Sequence, residues 1–232
     1  MNTNSNTYTI VYASVMVVIV AFLLAFVSSS LKDKQNENVE LDKKKQILSA
    51  LNVDIKGADV AQLYSEIVMA EPLLDYQTGA VKAETGAFDI DSKFENAKPL
   101  AERNLPLFVC QIDSATKYVL PVYGAGLWGP IWGYVALDAD KSTIFGVYFS
   151  HAGETPGLGA EITSAAFKQQ FTETPKHITR NGEFTSVAIV KPGKVAEDVD
   201  YVNGISGGTI TSQGVDAMLK DGLGQYVNFL KQ

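Results

Sequence analysis

The chain has 232 residues, with 26 Asp and Glu against 19 Lys and Arg and a net charge of -7; an acidic chain with no basic run among its aromatics excludes a reader of phosphate backbones. Hydrophobic residues make up 46% of it, enough to bury one sizeable core. One cysteine, Cys110, and two histidines, His151 and His177, exclude an internal disulfide and leave a poor ligand set for a metal centre, so redox chemistry here needs an organic cofactor.

The first predicted element is a membrane anchor. Ile10 to Val27 carries no charge and as a helix spans roughly 27 Å, close to a bilayer's hydrocarbon thickness. No Lys or Arg precedes it and the apolar run exceeds a signal-peptide core, which favours an uncleaved anchor over residues 1–31. Lys32, Lys34 and Lys43 to Lys45 all follow it, so the positive-inside rule puts the remainder in the cytoplasm.

Residues 32–51 place Leu41, Leu48 and Leu51 at helical spacing and read as a stalk. A second helix is predicted from Ala58 to Met69, with Val60, Leu63, Tyr64, Ile67 and Val68 on its apolar face. The period then becomes β-like: Leu107 to Ile112 (burying Cys110), Lys117 to Tyr123, Ile131 to Leu137 and Ile144 to Ser150. A helix over Ser164 to Thr172, a strand over Thr185 to Val190 and a last helix from Ser212 to about Leu230 follow, the last with Val215, Met218, Leu219, Tyr226 and Leu230 as its buried stripe. Short turns between strands, with helices grouped elsewhere, predict an α+β fold: a mostly antiparallel sheet with flanking helices, preceded by one transmembrane helix. The expected division is an anchor, 1–31, and one domain with its stalk, 32–232.

Three glycine-rich segments interrupt these elements. Gly124 to Gly133 holds Leu127, Trp128 and Trp132. It reads as a tight turn with core tryptophans or as an apolar wall for a flat ring. Gly153 to Gly159 holds Glu154, Thr155, Gly157 and Leu158, and reads as a strand-to-helix connection or as a ligand loop. Asn203 to Ser212 offers Ser206, Gly207, Gly208, Thr209, Thr211 and Ser212 just before the last helix. Backbone N–H groups at a helix start stabilise a phosphate, and Thr211 or Ser212 can cap the helix. Gly204-Ile-Ser-Gly-Gly208 also matches a nucleophile elbow, but no histidine follows Ser206, which argues against a serine hydrolase. Lys191 can face a phosphate or simply be solvated. With no G-x-G-x-x-G fingerprint the chain is not expected to bind NADH itself.

Together these segments resemble the C subunits of sodium-translocating NADH:quinone oxidoreductases, members of the FMN-binding domain family. The resemblance runs over almost the whole chain: anchor, GLW loop, GETPGLG loop and a serine-glycine-x-threonine loop before the last helix. It implies FMN esterified through its phosphate to Thr209 by a flavin transferase that uses FAD. Gly208 stands where the family usually has Ala, and Asn203 where Asp is common. Leu127, Trp128, Glu154, Thr155, Gly157 and Leu158 would flank the flavin, and Ser206, Gly207, Gly208 and Thr211 its phosphate; Lys191 lies outside these motifs. The resemblance implies an electron-transfer subunit with no catalytic or metal site of its own. It would be fed by an iron–sulfur centre and discharged to another flavin subunit of a respiratory complex in the inner membrane. It also implies a periplasmic domain, against the charge rule. The G subunit of the Rnf complex is a cousin with a similar anchor and loops. A non-covalent flavin module on a membrane stalk is the other alternative.

Overall fold

The computed structural model describes residues 5–232, so residues 1–4 of the expected anchor lie outside the described residues. The chain divides between Lys43 and Lys44 into two compact units. The first is helical, within α1 (Asn6–Ala50), and its side chains from Ile10 to Val27 are exposed. By length and composition α1 is apolar enough to cross a membrane.

In the second unit the end of α1 is core, with Ile47, Leu48 and Ala50 fully buried. Asp59 caps α2 (Val60–Ile67), accepting from the N–H groups of Ala61 and Gln62 at 3.0 and 3.1 Å. The helix stops short of the predicted Met69. Val68 is extended and pairs with Cys110 as the start of β1 (Val68–Ala70), because consecutive apolar residues satisfy helix and strand periods alike. Short strands β2 (Leu73–Asp75) and β3 (Val81–Ala83), helix α3 (Ser92–Asn96) and β4 (Asn104–Pro106) complete an antiparallel β3-β2-β4 sheet beside the main one.

The main sheet has five strands in the order β1-β5-β6-β7-β8, all antiparallel: β5 (Phe108–Ile112), β6 (Ala115–Ala125), β7 (Pro130–Leu137) and β8 (Ile144–His151). These agree with the predicted strands to within a few residues. Beyond β8, a 3-10 turn (Gly159–Thr163) leads into α4 (Ala165–Gln169), capped by Ser164, which seats Phe167 and Phe171 on Phe149 with centroids 5.5–6.0 Å apart.

The strand predicted from Thr185 begins only at Ala188. Ser186 has φ +63, which extended backbone does not allow, and the N–H groups of Thr185 and Ser186 both donate to the Ile178 carbonyl. A hairpin of β9 (Thr179–Arg180) and β10 (Glu183–Phe184) precedes β11 (Ala188–Val190), which pairs with β12 (Tyr201–Asn203) in parallel.

The last helix is two. α5 (Thr209–Gly224) lies on the sheet through Val215, Met218, Leu219 and Leu223, and α6 (Val227–Leu230) buries Phe229, leaving Leu230 only partly covered. The break falls after Gly224, where the buried Tyr226 hydroxyl donates to the Pro106 carbonyl at 2.8 Å. α5 also starts three residues before the predicted Ser212, so Thr209 to Ser212 form its first turn rather than a loop. The architecture is α+β and mostly antiparallel, as expected.

Candidate functional site

The three glycine-rich segments meet at the end of the sheet where β6 turns into β7. That turn, Gly126 to Gly129, is closed by the Gly126 N–H donating to the Gly129 carbonyl at 2.8 Å. Its tip leaves Leu127 46% and Trp128 68% exposed. The turn reading of this segment is right about the backbone but not about Trp128, which is no core residue. Trp132 is half-buried on β7, and its indole N–H donates to Gln46 at 3.2 Å, away from the tip.

Glu154 holds the corner together. It is 4% exposed. Its Oε1 accepts the Trp128 N–H at 2.8 Å, and its Oε2 accepts the Thr211 hydroxyl at 2.5 Å. One carboxylate therefore bonds the hairpin tip and the first turn of α5 from a position in the second loop. A buried carboxylate is tolerated when its oxygens are hydrogen-bonded. Its own N–H donates to His151 Nδ1 at 3.1 Å. The approach depends on missing side chains: a Cβ at Gly126 would lie against Glu154 Oε1, and one at Gly159 against both Glu154 Oε2 and Thr211 Oγ1.

The second loop also touches the third. A Cβ on Gly207, which has φ +76, would come within 2.7 Å of Leu158 Cδ2. Leu158 is itself 42% exposed. Thr155 and Gly157 are exposed; the Thr155 carbonyl accepts the N–H groups of Leu158 and Ala160, both at 3.1 Å, which shapes the loop.

In the third segment the N-cap of α5 is Gly208, with no side-chain cap, so neither Thr211 nor Ser212 plays the capping role open to it in the sequence. Ser212 Oγ accepts the Ile205 N–H at 2.8 Å, and Thr211 is committed to Glu154. The first helical bond is donated by Ser212 N–H to the Gly208 carbonyl. The N–H groups of Thr209, Ile210 and Thr211 thus stand at the helix start, where the dipole favours an anion. Ser206 and Thr209 are exposed, and among the described residues neither hydroxyl has a hydrogen-bond partner. Ile210 is 55% exposed.

Lys191, just past the end of β11, is exposed; its carbonyl accepts the Lys194 N–H at 2.9 Å, but among the described residues its side chain makes no hydrogen bond or ion pair, and nothing ties it to this corner. Asn203 ends β12. Its main chain is gripped by Gln170, which accepts its N–H at 2.9 Å and donates to its carbonyl at 3.1 Å. Sequence reasoning assigns no role in this corner to His151, Gly126 or Gln170. A half-buried histidine at a strand end and a glutamine 33 residues from its partner leave no local signal.

The corner can do two things chemically. It presents an unengaged hydroxyl beside free helix-start N–H groups, which suits a phosphoester. The same corner exposes apolar side chains, Leu127, Trp128, Leu158 and Ile210, which suit a flat aromatic ring. No group of three or more His, Cys, Asp or Glu able to hold a metal is present among the described residues.

The FMN-binding domain family matches residues 126–224, from the hairpin tip to the end of α5. The C subunit of the Na(+)-translocating NADH-quinone reductase of Vibrio vulnificus is 30% identical over 212 residues, covering 84% of this chain and 82% of that one. The crystal structure of the corresponding C subunit from Parabacteroides distasonis matches with a TM-score of 0.81 and 45% identity, over 87% of this chain and 98% of the other. That of NqrC from Shewanella oneidensis matches with a TM-score of 0.68 and 27% identity, over 84% and 99%.

Proposed function

The chain belongs to the NqrC family, the C subunits of the Na(+)-translocating NADH-quinone reductases, and from that membership we propose that it carries FMN as a phosphoester on Thr209 and relays electrons within a sodium-exporting complex. The observation that carries the reading is the state of the hydroxyls before and in the first turn of α5. Those of Thr211 and Ser212 are buried and bonded, whereas that of Thr209 is exposed and unengaged at the helix start. Ser206, also exposed, lies outside the helix, where no dipole supports a phosphate.

Maturation is a phosphoryl transfer from FAD, catalysed by a flavin transferase. Thr209 Oγ1 forms a bond to the phosphorus on the FMN side, the bond from that phosphorus to the bridging oxygen breaks, AMP leaves, and the hydroxyl proton passes to base or solvent. Bound FMN supplies the electron-accepting ring. The residues here would hold it: helix-start N–H groups, that of Thr211 among them, on the phosphate, with Ser206, Gly207 and Gly208 around it, and Leu127, Trp128, Glu154, Thr155, Gly157 and Leu158 toward the ring. Lys191 remains a candidate for neutralising the phosphate.

The complex would oxidise NADH, reduce quinone and export sodium, with this chain receiving electrons from an iron–sulfur donor and passing them to another flavin subunit. Residues 1–31 would anchor it in the inner membrane and 32–232 would form the flavin domain, facing the periplasm. An alkaline phosphatase fusion at the C-terminus tests that orientation, since the enzyme is active only outside the cytoplasm.

The central test is the mass of the intact chain after co-expression with a flavin transferase. The expected result is an adduct of FMN-phosphoryl size that disappears in Thr209→Ala. An unmodified wild-type chain overturns the proposal.

A further inference from the structure

The body of α5 is fixed on the sheet by its apolar stripe, Val215, Met218, Leu219 and Leu223. Its first turn has no such support. Thr209 and Ile210 are exposed, and the buried side chains there are two hydroxyls, Thr211 and Ser212. What orients this turn is therefore polar: Thr211 to Glu154 at 2.5 Å and Ser212 to the Ile205 N–H at 2.8 Å.

Thr211 is 1% exposed and its acceptor Glu154 4% exposed. Gly159 and Gly126 close the space around the pair, since a Cβ at either would overlap the carboxylate. Residues two apart on an α-helix point about 200° from one another. Holding Thr211 inward on Glu154 therefore turns Thr209 outward. The same carboxylate holds the Trp128 N–H at 2.8 Å, so the helix start and the exposed hairpin tip are set from one group.

We propose that Glu154 and Thr211 are positioning residues that fix the rotation of the first turn of α5, presenting the Thr209 hydroxyl for esterification and withholding that of Thr211. The inference rests on the FMN phosphoester reading and adds to it the reason one threonine of the Thr209-Ile210-Thr211 pair is chosen. Neither residue touches the transferred phosphorus. Thr211 takes no part in the bond making, because its hydroxyl is enclosed and its proton is engaged by the carboxylate.

The test uses the full-length chain in detergent with a flavin transferase and FAD. Flavin incorporation is timed by mass, the modified residue is mapped by peptide sequencing, and amide exchange is measured on the protein before loading. In the wild type, flavin maps to Thr209 alone. Thr211→Val slows incorporation by about tenfold or more, the size of one lost hydrogen bond to a charged group. It also speeds exchange of the hydrogen-bonded amides of this corner, Ile205, Ser212 and Trp128, with the strands unchanged. Thr211→Ser keeps the hydroxyl and restores both readouts to within about twofold. Glu154→Gln keeps the shape but offers one acceptor oxygen to two donors, so it gives an intermediate loss; it carries the test if Thr211→Val does not fold.

A wild-type chain that takes up no flavin counts against the phosphoester itself. A wild type that loads normally, alongside a folded Thr211→Val or Glu154→Gln variant that loads at the same rate with unaltered exchange, overturns the positioning role alone. Wild-type flavin mapped to Thr211 overturns both the assignment to Thr209 and the positioning role.

Discussion

The two ends of the β6–β7–β8 sheet solve the problem of a turn in opposite ways. At the end where β7 meets β8, the polar groups satisfy one another. Asp140 accepts the N–H groups of Ser142 and Thr143 and the Thr143 hydroxyl, at 2.9, 2.8 and 2.5 Å. Lys117 pairs with Asp138 and lies 4.1 Å from the centroid of Phe145. At the other end, where β6 meets β7, the buried polar groups are equally satisfied, by Glu154, but the exterior is left open. Apolar side chains face solvent and the Thr209 hydroxyl is unengaged. A corner closed on itself is a stabilising element. One that is closed inside and open outside has the form of a site.

Substitutions can break that contrast, beginning with the largest expected effect. Gly159→Ala puts a Cβ onto Glu154 and Thr211 and should cost about 2–3 kcal/mol, read as a fall in Tm of roughly 4–10 °C. If this variant melts like the wild type, the corner is looser than described. Lys117→Met removes the partner of Asp138 at the closed end and should cost about 1–2 kcal/mol in urea unfolding, discounted because Asp138 is a third exposed.

Asp140→Asn sharpens the comparison through pH. Partial burial pushes the Asp140 carboxyl up, but bonds from Thr143 and Ser142 and the nearby His177 outweigh it and hold the carboxyl below its usual range. A depressed carboxylate stabilises the fold above its unfolded value and loses that contribution as pH falls through its folded value. The deficit of Asp140→Asn should therefore be full at pH 7, about 1 kcal/mol or less given solvent screening. It should shrink below about pH 4; a constant deficit across that range would assign the effect to packing instead.

Trp128→Ala, at the open end, should move stability by less than about 0.5 kcal/mol despite the size of the residue, because the side chain is mostly in solvent. A large loss of Tm would show that the tip is structural.

The sheet was legible because its strands alternate and their turns carry glycine or aspartate, as at Gly126 to Gly129 and Asp138 to Asp140. Helix ends were less so. Val68 fits either period, and the start of α5 was obscured because Thr211 and Ser212 both look like caps while the N-cap is Gly208. The late start of β11 follows from the positive φ of Ser186, a tertiary constraint that composition does not carry. Family resemblance assembled the three loops, and the residues alone left each open to a plainer reading. What no local pattern supplies is the role of Glu154, whose partners lie 26 and 57 residues away along the chain. Cys110 lies inside its strand as its apolar neighbours suggest. Burial, and to a lesser degree Glu71, push its thiol up to about 12, which makes it unreactive toward alkylation in the folded protein.

The last turns of α1 carry a practical consequence for anyone cutting the domain free of the long apolar N-terminal helix. Ile47, Leu48, Ala50 and Leu51 are sealed in the interior, and Lys44 sits over the Tyr64 and Phe88 rings at 5.6 and 5.7 Å. A truncation that begins after residue 51 would strip out part of the hydrophobic interior. One that begins shortly before residue 43 removes the greasy segment and leaves that interior whole.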